Sequence, residues 1–172
     1  MRFVVSVTLL VSLFALPGCG DLSDVWGNPQ DRAKKGLSDS ETKPFEIGPA
    51  SKWAEQGLYL DFVSSQKVAL KSDHGMLVAI LLINPKTGAT VQHDRLANLF
   101  RDPQSGDNFT TDGLKWGGDE DRPSLARCRI RHLGPIEDPE VGLVVDPGKL
   151  FRQEDQQWSK AASNHLFVDA ED

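Results

Sequence analysis

The stretch Met76-Leu77-Val78-Ala79-Ile80-Leu81-Leu82-Ile83 decides the fold of this 172-residue chain. It is an uninterrupted apolar run, but it is far shorter than the about 20 residues that a membrane-spanning helix needs. Gly75 precedes the run and Pro85 follows it, and both residues interrupt regular structure. A short apolar run between turn formers is typical of a strand that is buried on both faces. We therefore predict that Met76–Ile83 is the central strand of a sheet.

Shorter runs on either side of this stretch alternate between apolar and polar residues, as half-buried strands do. The most regular of them is Leu125–Leu133, where arginines alternate with small or apolar residues. The segment Asn84–Gly88 predicts a turn, because Pro favours an early turn position and Gly accepts a positive φ at a late one. Ala89–Gln92 would then return as the partner strand of a hairpin.

Two segments have helical spacing instead. Asp94 is positioned to cap a short helix that would end before Asp102-Pro103. A C-terminal helix would carry one apolar face, made of Phe151, Trp158, Ala162 and Leu166. Residues 101–123 hold many turn formers and acids, which predicts a long exposed loop anchored by Phe109, Leu114 and Trp116.

These patterns together favour a mainly β fold, either an antiparallel sheet or a small β-sandwich with one or two short helices. The alternative is an α+β arrangement, with the C-terminal helix packed across the sheet. We assign residues 51–168 to a single globular domain, because a chain of this length supports one core. Residues 169–172 form an acidic tail.

A second apolar run, Phe3–Leu16, follows Met1-Arg2 at the N-terminus. One positive charge followed by a short apolar run is the pattern of a secretion signal rather than of a permanent membrane span. The run ends in the tetrad Leu16-Pro17-Gly18-Cys19. This tetrad resembles the lipobox of bacterial lipoproteins, with Leu three residues before the cysteine and a small residue directly before it. The resemblance covers the signal alone.

Membership of that class implies that the signal, residues 1–18, is removed and that Cys19 carries the acyl chains, of which palmitate is typical. Each buried CH₂ contributes about 0.8 kcal/mol, so several chains hold a protein on the lipid bilayer. In the class, Asp directly after the cysteine favours the inner membrane; Gly20 stands there instead, which favours the outer membrane. We expect a cell-envelope protein whose domain faces the periplasm, with residues 19–50 as a flexible polar tether.

Composition excludes some classes of partner. The chain has 19 Lys and Arg against 25 Asp and Glu, a formal net charge of −6, which gives no general electrostatic reason to bind nucleic acid. If Cys19 is acylated, Cys128 has no partner for an internal disulfide, and we expect it to be buried. The sequence holds no recognised enzyme, metal or phosphate-binding motif, so we expect neither a cofactor nor a metal.

Five residues are candidates for partner binding: Arg127, Arg129, Arg131, Trp116 and Trp26. Arginine recognises carboxylates through two parallel hydrogen bonds, so the three arginines on one face of a strand would suit an envelope protein or an acidic polymer. The alternative is that they pair with acids of the preceding loop, Asp119, Glu120 and Asp121.

The function expected from these features is that of a membrane-tethered binding or assembly module in the periplasm or at the outer membrane. The competing hypothesis is a tethered hydrolase or metal-dependent enzyme that uses His93 and Asp94, or His74, with loop acids. A deep pocket in which these groups converge would favour the enzyme, whereas an exposed patch would favour the binder.

Overall fold

The computed structural model describes residues 37–117 and 123–160, and the backbone of residues 165–166. The described chain is mainly β, as predicted. Its strands are β1 (Phe45–Pro49), β2 (Gly57–Tyr59), β3 (Val68–Asp73), β4 (Met76–Leu81), β5 (Gln92–Asp94), β6 (Leu99–Arg101), β7 (Asn108–Thr110), β8 (Arg127–His132), β9 (Gly142–Phe151) and β10 (His165–Leu166). A 3-10 helix covers Ala50–Trp53, and a one-turn helix, α1, covers Val63–Gln66.

The larger of two sheets is antiparallel and curled, with the strand order β1-β9-β8-β4-β3-β2. β4 lies at its centre and pairs with β3 along its whole length, from Met76 opposite Asp73 to Leu81 opposite Val68. The other edge of β4 pairs with β8 at Ala79 and Ile80, and with β10 nearer its start. The prediction of a central strand is therefore confirmed for Met76–Leu81, whereas Ile83 forms an isolated bridge with Thr90.

Both faces of β4 are covered. Leu77, Ala79 and Leu81 point into a first core on one side of the sheet. Val78 and Ile80 point the opposite way into a second core. No residue from Leu77 to Ile83 is more than 3% exposed. Because apolar burial contributes about 25 cal/mol per Å² on either face, this strand has no position at which a polar residue is favoured.

A small second sheet, made of β5, β6 and β7, covers the second core. Its strands are antiparallel, and Phe100 of β6 lies directly opposite Phe109 of β7. Both rings are buried in the second core, against residues of β3 and β4. One face of this sheet therefore points into the molecule, and the other face points outward.

The prediction of a short helix that begins at Asp94 is wrong. That segment is the hairpin between β5 and β6, and the Asp94 carboxylate accepts hydrogen bonds from the backbone N–H groups of Leu96 and Ala97, at 3.0 and 3.1 Å. It therefore caps a turn. Leu96 is fully exposed, and Asn98 adopts a φ of 52°, which an α-helix does not allow.

The prediction of a C-terminal helix is also wrong for the residues that the structure describes. Phe151 ends β9, and Trp158 lies in a turn from which its indole N–H donates to the Phe151 carbonyl at 3.2 Å. His165–Leu166 forms a strand instead. The predicted long loop at residues 101–123 is interrupted by β7, because Phe109 supplies a large apolar side chain to the second core.

The folded domain begins earlier than residue 51. β1 lies inside the segment predicted to be a tether, and it pairs with β9 at the edge of the larger sheet. Ile47 of this strand is buried in the first core, which also contains Leu37. The residues 1–36, which include the signal, Cys19 and Trp26, lie outside the described residues, as does the tail 169–172.

Candidate functional site

The three arginines of β8 share one face of the strand but differ in their surroundings. Arg127 is only 7% exposed, and its guanidinium stacks on the ring of Trp158. Burial lowers the pKa of Arg127, and the nearby carboxylate of Asp112 opposes that shift. Arg129 donates through Nη2 to Asp146 Oδ2 at 2.7 Å, whereas Arg131 is exposed. Of the three arginines, Arg131 is therefore the exposed one, because the Trp158 turn covers Arg127 and Asp146 pairs with Arg129. The acids of the alternative pairing, Asp119, Glu120 and Asp121, lie outside the described residues.

The side chains of His93 and Asp94 form no hydrogen bond or ion pair with each other. They are consecutive residues of β5, so their side chains point to opposite faces of the sheet. The Nδ1 atom of His93 is buried and has no hydrogen-bond partner among the described residues, while Nε2 lies 3.5 Å from Asn98 Oδ1. A catalytic histidine needs a carboxylate to orient one ring nitrogen while the other faces the substrate. Among the described residues, no carboxylate contacts either ring nitrogen of His93.

His74 and Cys128 lie in opposite environments, one at the surface and one in the core. His74 occupies the tip of the β3–β4 hairpin, where its side chain is 88% exposed and contacts Asp73 at 2.9 Å. Cys128 is fully buried in the first core, and burial raises the pKa of its thiol. Among the described residues, no group of three or more His, Cys, Asp or Glu side chains is placed to hold a metal ion.

A buried polar cluster joins two turns of the same pattern, Asn84-Pro-Lys-Thr-Gly88 and Asp102-Pro-Gln-Ser-Gly106. The Asn84 amide donates to Asp102 Oδ2 at 2.7 Å and to Asp107 Oδ2 at 3.0 Å. Lys115 Nζ lies 2.5 Å from Asp107 Oδ1. Sequence reasoning missed this cluster, although the repeated Asn/Asp-Pro-x-Thr/Ser-Gly pattern was a usable signal.

The acids of this cluster serve the fold. Burial alone would raise the pKa of Asp102, but hydrogen bonds from Thr87, the Gln104 backbone and Asn84 lower it further than burial raises it. Burial would also raise the pKa of Asp107, but hydrogen bonds, with Lys115 as the main donor, lower it further than burial raises it. Both carboxylates therefore stay ionised, and their oxygens accept hydrogen bonds from within the cluster.

The outward face of the small sheet carries a row of polar side chains. The register places Gln92 of β5 opposite Arg101 of β6, and Arg101 opposite Asn108 of β7. Residues that are opposite in register point to the same face, and Phe100 and Phe109 occupy the inward positions. Gln92, Arg101 and Asn108 consequently project outward in a line.

Trp116 extends this line by one strand. Lys115 forms an antiparallel bridge with Phe109, and the Trp116 N–H donates to the Asn108 carbonyl at 2.9 Å. The Lys115 ammonium lies 4.8 Å from the centroid of the Phe109 ring, which confirms that residue 115 points inward. Trp116 therefore points outward beside Asn108. We name these four side chains the outer row: Gln92, Arg101, Asn108 and Trp116.

The outer row is free of protein partners within the described part of the chain. None of its four side chains makes a hydrogen bond or an ion pair with another described residue. Trp116 is 57% exposed. With strands about 4.8 Å apart, the row spans about 14 Å. It is therefore a linear polar surface that ends in an aromatic ring.

An open cleft of about 400 Å³ adjoins the Gln92 end of the outer row. Small-molecule sites in proteins have volumes from about 300 Å³ upward. Its lining residues come from β5, β6 and the following turn: Gln92, His93, Asp94, Arg101, Asp102, Pro103 and Gly106. The cleft and the outer row share Gln92 and Arg101, so they form one continuous surface.

No protein-family model matches this sequence, and a comparison with curated proteins found no significant match. Within the described ranges, no helix is long and apolar enough to cross a membrane.

Proposed function

We propose that this chain is a lipid-anchored protein of the bacterial cell envelope whose β domain is a binding module rather than an enzyme. Acylated Cys19 would hold it on the lipid bilayer, with the outer membrane favoured and the domain facing the periplasm. The lipobox-like tetrad Leu16–Cys19 supports the anchor. The observation that carries the binding role is the outer row, whose side chains have no partners among the described residues.

The chemistry of the outer row suits recognition and not catalysis. Gln92 and Asn108 carry amides, which both donate and accept hydrogen bonds but do not titrate. Arg101 is a permanent cation, and Trp116 offers an aromatic face and one N–H donor. No nucleophile or general base belongs to this set. The nearby carboxylates of Asp94 and Asp102 are engaged in turns.

The rigidity of the supporting sheet also favours binding. Phe100 and Phe109 fix β6 and β7 on the second core, and the buried cluster around Asn84 holds the adjoining turn. A ligand would therefore meet a surface that is already ordered, which lowers the entropic cost of association. On β8, by contrast, Arg131 is the one exposed arginine.

The anchor is tested in cells by metabolic palmitate labelling and membrane fractionation of Cys19→Ala. We expect both the label and the membrane association to be lost. Labelling that persists in this variant would rule out Cys19 as the lipidated residue.

The binding role is tested by placing a photo-crosslinking amino acid at residue 116 of the lipidated protein. The same amino acid at residue 133 is the matched control, because Leu133 is 60% exposed but lies in the β8–β9 connection and not in the outer row. We expect adducts from residue 116 alone. Equal yields, or no adducts at all, would contradict a binding module at this face.

A further inference from the structure

We infer that the outer row binds a glycan strand that carries widely spaced carboxylates, such as alternating uronic acid and N-acetylhexosamine. This inference rests on the proposed binding role and names the class of ligand. The row is linear and about 14 Å long, which suits several consecutive sugars better than a single one. Its ligand is set by three kinds of group: an exposed indole, two amides and one cation.

Trp116 supplies the stacking surface. A sugar ring presents C–H groups on its flat faces and hydroxyl groups at its rim, so an indole can cover the face while its N–H reaches a hydroxyl. In the described residues, the Trp116 ring stacks on no other ring and its N–H has no acceptor. Both functions of the indole are thus open to a ligand.

The amides of Gln92 and Asn108 match hydroxyl and acetamido groups. Each amide has two donor hydrogens and one carbonyl acceptor, whereas a phosphodiester or an ionised carboxylate can only accept. A surface built for a dense polyanion would use cations at these positions. The row therefore favours a ligand that is mostly neutral and rich in groups that both donate and accept.

Arg101 supplies the single cation. Its guanidinium forms no ion pair with a described residue, although acidic residues outnumber basic ones in this chain. The closest acid in sequence, Asp102, is buried and already accepts hydrogen bonds from Asn84 and Thr87. A ligand carboxylate can therefore take two parallel hydrogen bonds from Arg101. The net charge of −6 would repel a ligand with a charge on every unit.

The test measures binding of the full lipidated protein, in detergent, to an immobilised hyaluronan hexasaccharide. We expect saturable binding that weakens about tenfold or more in Arg101→Gln, because this change removes hydrogen bonds between charged groups. Trp116→Ala should weaken binding by about the same factor. Reduction of the sugar carboxylates to alcohols should weaken wild type to the level of Arg101→Gln.

Two matched variants serve as controls. Arg95→Gln removes another exposed arginine from the β5–β6 turn, and Leu133→Ala removes an exposed apolar side chain at the β8–β9 connection. Both should bind like wild type. Unchanged circular dichroism would show that each variant is folded.

The inference is overturned if wild type does not bind the hexasaccharide, or if polyglutamate competes as well as the sugar does. It is also overturned if Arg101→Gln and Arg95→Gln bind alike. If the protein does not bind the glycan but residue 116 still forms crosslinks, the inferred ligand is wrong and the proposed binding module stands. Absent crosslinking would remove the proposed function itself.

Discussion

The guanidinium carbon of Arg127 lies 4.0 Å from the centroid of the Trp158 ring. Arg127 is buried, and its Nε atom has no hydrogen-bond partner among the described residues. The face of an aromatic ring therefore packs on a guanidinium that is largely removed from water. This contact also attaches the turn that follows β9 to the centre of the larger sheet, because Arg127 pairs with Ile80 of β4.

Removal of the ring should destabilise the domain through that cation. We expect Trp158→Ala to lower the free energy of unfolding by about 2 kcal/mol or more, because a desolvated cation–π contact is worth about that much. Trp158→Phe keeps an aromatic face and should lose less than half of this. Urea unfolding at pH 7 measures both values. Equal losses in the two variants would mean that the cation–π contact contributes nothing.

The ion pair between Asp107 and Lys115 should be costly to break. Both side chains are at most 10% exposed, so Asp107→Asn leaves a buried ammonium without its counter-charge. We expect a loss of about 3–5 kcal/mol at pH 7, measured by urea unfolding. Asp155→Asn, a change at an exposed acid, is the control and should cost less than about 0.5 kcal/mol.

The same pair should make stability depend on acidity. Because the pKa of Asp107 is lowered in the folded protein, its contribution is complete above the unfolded pKa of about 3.9 and is lost as the pH falls toward the folded pKa. The gap between wild type and Asp107→Asn should therefore shrink by about 1.4 kcal/mol per pH unit below about pH 4. A gap that stays constant between pH 5 and pH 3 would contradict this.

The Cys128 thiol should be inert in the folded protein. It lies in the first core with no exposed surface, and burial raises the pKa of the thiol, so the reactive thiolate is suppressed. In a Cys19→Ala background, Ellman's reagent should react with Cys128 only after denaturation. Rapid reaction in the native protein would contradict the burial of this thiol.

The β3–β4 hairpin should depend on Gly75. His74 and Gly75 form its two-residue turn with φ values of 49° and 71°, which identifies a type I′ turn. Gly75→Ala should cost about 1–2 kcal/mol, because a side chain is strained in this conformation. His74→Asn should be neutral or stabilising, since Asn is favoured at the first position. A large loss in His74→Asn would point to a role beyond the turn.

The sequence was sufficient where one local pattern had one structural solution. The apolar run at β4 and the alternation along β8 were read correctly, because burial on two faces or on one face requires those patterns. Residues 94–100 were read wrongly, since Leu96, Leu99 and Phe100 fit a helix by spacing alone. In the structure Phe100 is buried and Leu96 is fully exposed, so a tertiary contact decided between the two.

The outer row could not be predicted in the same way. Trp116 was recognised as a candidate, but Gln92, Arg101 and Asn108 come from three other segments, and no spacing in the sequence relates them. They meet only because the strands pair in one register, and a shift of one residue would turn each side chain to the opposite face. Register depends on long-range pairing, which a single sequence does not encode in a readable form.

The position of β4 has a consequence for the timescale on which different parts of the molecule open. Its backbone amides lie between β3 on one side and β8 with β10 on the other, and both of its faces are sealed. We therefore expect exchange of those hydrogens with solvent to be among the slowest in the domain, and exchange in β5, at the edge of the small sheet, to be faster. The outer row thus lies on strands of different local stability, with Gln92 on the edge strand β5 and with Arg101 and Asn108 on the strands that Phe100 and Phe109 hold on the second core.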